Sequence, residues 1–315
     1  MSYTRVTTAA SNQNILNQIM TGRSRLNDLS IQVSSGVKVE KASDDASAAV
    51  NILNSNVSLN KIDTYLNNIS SASSEMETVD TQLQSVVDII DRAKVLATSA
   101  ANEATMSESE LSSVNEEIKQ LMDDLKSIAN TQFGNTYVFG GTNTENAPYS
   151  SPADGEYQYS GTSQTGNYQR NVEISDGVTV TVNIPGDKVF GYYYTDNSTT
   201  PATVQGEGLF KTLATLSQSL ESGDYDSVRS SIDELDTNLN TVLTASAQVG
   251  GVENRLTLTK TKLSNDKINL KSYKSDNQDV DMASAISDLS YQETALQASM
   301  QVSTKIMGTS LLDYI

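Results

Sequence analysis

A chain of 315 residues with 39 acidic and 21 basic side chains carries a net charge of −18, which disfavours nucleic acid and anionic membrane surfaces as partners, because both need a basic patch. It has no cysteine and no histidine, which removes disulfides, thiol nucleophiles, serine–histidine pairs and the usual zinc sites. No run has the apolar length of a membrane span and the start has no secretory-signal core, so the expectation is a cytosolic protein or one exported by a route that needs no such signal.

Residues 1–10 are polar, with β-branched Val6, Thr7 and Thr8, and read as extended or disordered. A helix is predicted from about Ser11 to Val33, with Ile15, Ile19, Leu26, Leu29 and Val33 on one face and Leu16 and Met20 beside it. Gly36 is its expected stop. Val37 to Glu40 alternates and suits a short extended piece. Ser43 or Asp44 is the expected N-cap of the next helix. That helix runs from about Asp45 to Ala101 with no Gly or Pro. Ile62, Ile69, Met76, Leu83, Ile90 and Ala97 recur in it at sevens, and Leu59, Leu66 and Val87 are read as the partner row. A return helix to about Asn130 carries Leu111, Val114, Ile118, Leu121, Leu125 and Ile128 at 3-4 spacing.

The composition then changes. All 4 prolines and all 4 phenylalanines fall between Phe133 and Phe210, marking a different kind of structure inserted between helices. Tyr168 to Ile174 and Val178 to Ile184 alternate around Asp176-Gly177. A two-residue loop there would put the apolar faces on opposite sides. A three-residue loop with left-handed Gly177 pairs Ile174 with Val178, Val172 with Val180 and Tyr168 with Ile184, on one face, and is the expected register. With Tyr157–Tyr159 and Val189–Tyr194 this makes a small antiparallel β domain. Helix resumes near Gly208. Leu209, Leu213, Leu216 and Leu220 form one element ending near Gly223. Val228, Ile232, Leu235, Leu239 and Val242 start another, which continues through Val249, Leu256, Leu263 and Leu270. The pair Gly250-Gly251 inside it reads as a bend or a close helix crossing.

The last stretch is an amphipathic helix. Met282, Leu289 and Leu296 lie seven apart, Ile286, Met300 and Met307 fill most of a neighbouring row with Glu293 between them, and Glu293 and Ser303 are read as interruptions of the stripe. Ile306, Leu311, Leu312, Tyr314 and Ile315 extend the apolar character to the last residues. The 11–33 helix covers only one side of this stripe, so burial against other molecules is expected in addition. The fold class is therefore mainly α: a long helical rod or bundle with coiled-coil paired termini and an inserted small antiparallel β domain. The expected divisions are 1–42 paired with 277–315, then 43–132 with 206–276 as the rod, then 133–205 as the β insert.

Ser34-Ser35-Gly36-Val37-Lys38-Val39 followed by Ala42-Ser43-Asp44-Asp45-Ala46 resembles the N-terminal signature of bacterial flagellins. Val249-Gly250-Gly251-Val252-Glu253-Asn254-Arg255-Leu256 resembles their C-terminal helix motif. Phe133 to Thr142, Val172 to Gly177, and the close from Ala295 through Ser299 to Ile315 are similar to the hook-associated protein 3 family, the hook–filament junction proteins. The resemblance implies a structural part of the flagellum: a homo-oligomeric ring between hook-associated protein 1 and flagellin, held by its termini, exported unfolded by the flagellar type III apparatus with a chaperone. It also implies a rod contact between neighbouring subunits in the Asp91–Asn102 segment, at Arg92 and Lys94, and in the C-terminal motif at Asn254 and Arg255. A helix with one core side and one solvated side explains the same residues.

No catalytic, cofactor-binding or metal-binding residues are assigned. Asp44-Asp45 lacks the surrounding ligand set of a calcium loop, and no convergent polar constellation suggests an enzyme. The competing functions are a minor flagellin and, more distantly, a secreted helical toxin or adhesin. A toxin would need an apolar membrane-inserting hairpin, which the sequence does not show.

Overall fold

The structure, a computed structural model, describes residues 8–102, 107–150, 156–162, 168–196 and 203–312. The helices are α1 (Thr8–Ser35), α2 (Ala46–Ala100), α3 (Glu108–Ala129), α4 (Gly186–Val189), α5 (Gly208–Ser222), α6 (Tyr225–Gln278) and α7 (Met282–Leu312). The strands are β1 (Gln132–Phe133), β2 (Thr136–Tyr137), β3 (Tyr149–Ser150), β4 (Gln158–Tyr159), β5 (Asn171–Ser175), β6 (Val178–Thr181), β7 (Tyr192–Asp196) and β8 (Thr203–Glu207). This is a mainly α protein with small antiparallel β elements, as the sequence predicts. The chain divides into two compact units, Met1–Lys61 with Asn265–Ile315 and Ile62–Ser264, and α2 and α6 supply residues to both.

The larger unit holds the main core. On α2 the predicted row is buried: Ile69, Met76, Leu83, Ile90 and Ala97 are each 2% exposed or less, and Ile62 is half-buried. The second row is not the predicted one. Leu59, Leu66 and Val87 are half-buried, and the buried partners are Ala72, Val79, Val86, Ala93 and Ala100. These lie three residues after each member of the first row and complete a strict 3-4 repeat. On α3 Leu111, Val114, Ile118 and Leu125 are buried with Met122, while Leu121 and Ile128 lie at the margin. Ser107 and Glu110 form a capping box at the start of α3, which satisfies its first free N–H groups. On α5 Leu209, Leu213, Leu216 and Leu220 are buried, and left-handed Gly223 ends the helix. Val228, Leu235, Val242, Val249, Leu256 and Leu263 give α6 a buried row at sevens.

The β elements form four separate two-stranded antiparallel ladders, β1-β2, β3-β4, β5-β6 and β7-β8. In β5-β6 Val172 pairs with Val180 as predicted, but Ser175 pairs with Val178 and the register shifts between Glu173 and Ser175. Ile174 is the unpaired residue of this bulge and is fully buried, whereas Val178 is exposed. The turn is thus tighter than the expected three-residue loop, and the bulge restores the one-sided apolar face that a two-residue loop alone would scramble. Gly177 adopts φ +68° at the turn, where a Cβ would be strained. The ladder ends at Asn171–Thr181, so Tyr168 and Ile184 are not a strand pair. Arg170 N–H donates instead to the Asn183 side chain at 2.8 Å. The expected strand start at Val189 is the end of the helical turn α4, and the strand begins at Tyr192. At Gly191, between them, an added Cβ would lie 1.9 Å from the Glu207 carbonyl oxygen, so only glycine fits the approach of the two segments. Phe139, Tyr149, Phe190 and Phe210 pack as an aromatic cluster, with Phe139 and Phe190 edge to face at 4.8 Å. The Tyr149 hydroxyl donates to the Gly191 carbonyl at 2.8 Å. Arg170 pairs with the buried carboxylate of Glu75, and Tyr65 and Asn68 donate to Glu173, which ties the β5-β6 hairpin to α2.

In the other unit α1 packs along α7. The helix α1 starts at Thr8, earlier than predicted; residues 1–7 and 313–315, which include Tyr314 and Ile315, lie outside the described residues.

Candidate assembly surfaces

The seam between α1 and α7 is built from small and polar groups as much as from apolar ones. On α1, Ile15, Ile19, Leu26, Leu29 and Val33 are half-buried on the face that includes Gly22. On α7 the inward row is Ala285, Leu289, Gln292, Leu296 and Ser303; Ala285 is 4% and Ser303 7% exposed, and the other three are half-buried. The Gln292 amide donates to the Gly22 carbonyl at 3.3 Å, and the Leu296 side chain lies beside Gly22. A Cβ added at Gly22 would lie 3.4 Å from both the Gln292 amide and Leu296, so the two helices approach closely here.

The predicted stripe of α7 is thus split by the structure. Leu289 and Leu296 belong to the seam, whereas Met282, Ile286 and Met300 are 41%, 49% and 43% exposed on its flank. Glu293 is exposed on the same flank, so it does not interrupt the seam, and Ser303, expected as an interruption, is part of the seam. Ile306, Met307, Leu311 and Leu312 continue α7, with side chains outside the described set. On α1, Leu16, Met20 and Ile31 are exposed as well. The pair therefore keeps an outward apolar surface after its internal seam is satisfied. A groove of ≈ 320 Å³ runs between the helices, lined by Arg25, Asp28, Leu29, Asp288 and Tyr291. The N-terminal part of α2 adds Val50, Leu53 and Val57, all more than half exposed, opposite buried Ala48 and Ser55. Their 3-4 spacing is readable in the sequence, but the long buried run that follows masks it.

The links before α2 and α7 are tied together. Val37 bridges Asp279, Lys38 N–H donates to the Gln278 carbonyl at 2.8 Å, and Val280 N–H donates to the Gly36 carbonyl at 3.0 Å. The extended piece expected at Val37–Glu40 is reduced to this single bridge at Val37, with bends at Lys38 and Glu40. The N-cap of α2 is Asp45, which accepts from the N–H groups of Ser47 and Ala48 at 2.9 Å, not Ser43 or Asp44. Asp44 instead accepts from the Lys41 and Glu40 N–H groups at 2.9 and 3.0 Å, and these bonds hold its carboxyl below the usual range. Asp281 repeats the capping role on α7, accepting from Ala283 and Ser284.

On the larger unit, Arg92 pairs with Glu117 at 2.6 Å, and Lys94 pairs with Asp236. Both charges are thus engaged within the chain, although the Arg92 side chain stays half exposed. The carboxylate of Asp236 raises the Lys94 pKa through that hydrogen bond. Asn254 and Arg255 are exposed on α6. The helix continues unbroken through Gly250 and Gly251, and a Cβ at either would meet nothing within 4 Å. Neither the expected bend nor a close crossing is found there among the described residues. Among the described residues, no group of three potential metal ligands is found and no helix is long and apolar enough to cross a membrane.

Comparisons with known proteins agree with this architecture. Residues 6–144 match the model of the bacterial flagellin N-terminal helical region, and residues 232–315 that of the C-terminal helical region. The chain belongs to the flagellin superfamily. Its place there is with hook-associated protein 3, and its role is that of a structural component of the bacterial flagellum. It is 28% identical to flagellar hook-associated protein 3 of Escherichia coli K12, over 89% of this chain and 90% of that protein. Its identity to the same protein of Salmonella typhimurium is 25%, over 98% of each. In fold it is similar to Bacillus cereus FlgL, with a TM-score of 0.55 and 24% identity, over 71% of this chain and 99% of that one. It is also similar to flagellar hook-associated protein 3 of Legionella pneumophila, with a TM-score of 0.60 and 16% identity, over 70% and 97%.

Proposed function

We propose that this protein joins the hook to the flagellin filament, through hook-associated protein 1 on one side and flagellin on the other, as a homo-oligomeric ring. The observation that carries this reading is the outward apolar surface of the α1–α7 pair. Its seam is already closed by Ala285, Leu289, Leu296 and Ser303, yet Leu16, Met20, Ile286 and Met300 remain exposed. Exposed apolar rows on a soluble helix pair mark a surface that another molecule covers. Hook-associated protein 3 of two enterobacteria, aligned over nearly the full chain, supports the choice of partner, as does a Legionella pneumophila protein of the same fold described as the flagellar junction protein.

In this reading 1–42 with 277–315 is the assembly core, 43–132 with 206–276 is the rod, and 133–205 is a surface domain. The coiled-coil termini, including Ile306, Met307, Leu311 and Leu312, pack against neighbouring subunits, and Arg92, Lys94, Asn254 and Arg255 lie at rod contacts. The protein is extracellular and not an enzyme. It is exported by the flagellar type III system with a chaperone and without a cleaved signal peptide, and it binds neither nucleic acid nor membrane. The second reading is a minor flagellin, favoured by 24% identity to Bacillus subtilis flagellin over 91% of this chain. A minor flagellin would polymerise alone into long filaments. The test is a deletion strain viewed by electron microscopy: hooks without filaments and flagellin in the medium fit the junction role, and intact filaments contradict it.

A further inference from the structure

The charge of this chain is unevenly placed within the larger unit. Residues 254–264 of α6 hold Arg255, Lys260 and Lys262 and no carboxylate, in a chain with 39 acidic side chains. Arg255, Leu258 and Lys262 fall on one outward stripe with Gly251, opposite the buried row Val249, Leu256 and Leu263. Leu258 is 72% exposed. Among the described residues, a Cβ added at Gly250 or Gly251 would meet nothing within 4 Å, so the start of this stripe is open.

The opposite charge lies on α3. Glu116, Glu117, Asp123 and Asp124 occupy the side of α3 away from buried Leu111, Ile118 and Leu125, and Lys119 at the edge of that side pairs with Glu116 and Glu221, so the face keeps a negative excess. Glu116 and Asp124 are exposed. The pairs Arg92–Glu117 and Lys94–Asp236 place the middle of α3 level with residues near 236 of α6. Arg255 and Lys262 lie farther along α6, by about 20 residues or roughly 30 Å at the helical rise.

We propose that the Arg255–Leu258–Lys262 stripe of α6 docks on the acidic outer face of α3, around Glu116 and Asp124, in a second copy of this chain. The charges match only when the copies are displaced along the helices, by roughly 30 Å. Such a contact is heterologous: each copy leaves one basic and one acidic face free for the next neighbour, which suits a ring or a helical array and not a closed pair. The inference rests on the assembly reading above, whose terminal helices supply the apolar association, and adds the element that sets stagger between rods. Charge contacts of this kind fix register more than affinity.

The test is self-association of the full-length protein by sedimentation at low and high salt, with three variants. R255E/K262E has two acidic faces, and E116K/D124K has two basic ones. Each is expected to associate about tenfold more weakly than wild type at low salt. The difference should shrink above about 0.5 M salt, where screening is short-ranged. An equimolar mixture of the two variants restores association, because each now presents the complement of the other; misfolding would not be rescued by mixing. I286D, in the terminal helix, weakens association without any rescue. Charge variants that associate like wild type while I286D fails overturn this contact and leave the junction reading standing. Wild type that stays monomeric at low salt overturns it too. Variants that lose only retention on a polyanion column, with self-association intact, identify a polyanion site instead and overturn it.

Discussion

The two helical seams of this molecule solve the same problem differently. On α2, residues 69–100 alternate large and small buried side chains at strict 3-4 spacing, and that seam is closed within the chain. On α7, residues 285–303 place Ala, Gln and Ser beside Leu, and the large apolar side chains Met282, Ile286 and Met300 are left on the flank. The first arrangement finishes a core inside one chain. The second brings two helices close while keeping apolar surface for a neighbour. A helix whose apolar residues all face its intrachain partner is a stability element, and one that divides them between two faces is an assembly element.

Mutations at the two seams should therefore separate stability from assembly. Leu83→Ala removes a fully buried side chain and should cost about 3 kcal/mol in chemical denaturation of the monomer. Ile286→Ala, at an exposed site on the outward flank of α7, should change monomer stability by no more than about 0.5 kcal/mol and act mainly on assembly. Equal losses in the monomer would erase the distinction. Glu75→Ala strands the Arg170 guanidinium against α2. The pair is partly exposed on the arginine side, so the loss is expected near 2 kcal/mol, below that of a fully buried pair. Glu75→Gln, which keeps one acceptor, should lose less, with melting temperature as the readout. Arg92→Glu breaks an exposed pair with Glu117 and should change monomer stability by no more than about 1 kcal/mol. If assembly weakens while circular dichroism is unchanged, the residue acts between subunits; a parallel loss of helicity places its role within the chain.

The smallest effect is pH dependence at the link before α2. Backbone bonds from Lys41 and Glu40 lower the Asp44 pKa. Its folded value lies below its unfolded one, so the bonds contribute fully above the unfolded carboxylate pKa of about 3.9. They are lost only as pH falls through the lower, folded value. Amide protons of Glu40 and Lys41 should keep their shifts as pH falls to that unfolded value and then move together. Movement near neutral pH would contradict the assignment.

What was readable in advance follows from side-chain size. Rows of Ile, Leu, Met and Val at sevens announce themselves, so Ile69–Ala97 and Val228–Leu263 were legible, as was the Phe- and Pro-rich insert. Alanine, serine and glycine carry little hydrophobic signal. For that reason the sequence pattern hides Ala72, Ala93 and Ala100 as part of the second row of α2, and Ser303 looks like an interruption where it is seam. The cap at Asp45 was one residue off because Asp44 and Asp45 are equally good cappers by type, and only backbone geometry separates their tasks. The bulge at Ile174 was hidden because a two-residue turn plus a bulge and a longer turn produce the same one-sided pattern. Of the terminal residues expected to assemble, the pattern identified the helix and its apolar content, but not which of them the partner helix would cover.

The central claim is that the α1–α7 pair is complete only in the assembled state. Hydrogen exchange, read by mass spectrometry on monomer and assembled protein, tests it most directly. The account predicts fast exchange along residues 13–35 and 282–305 in the monomer, slow exchange there after assembly, and equally slow exchange for residues 69–100 in both states. Equal protection of the terminal helices in monomer and assembly would contradict it.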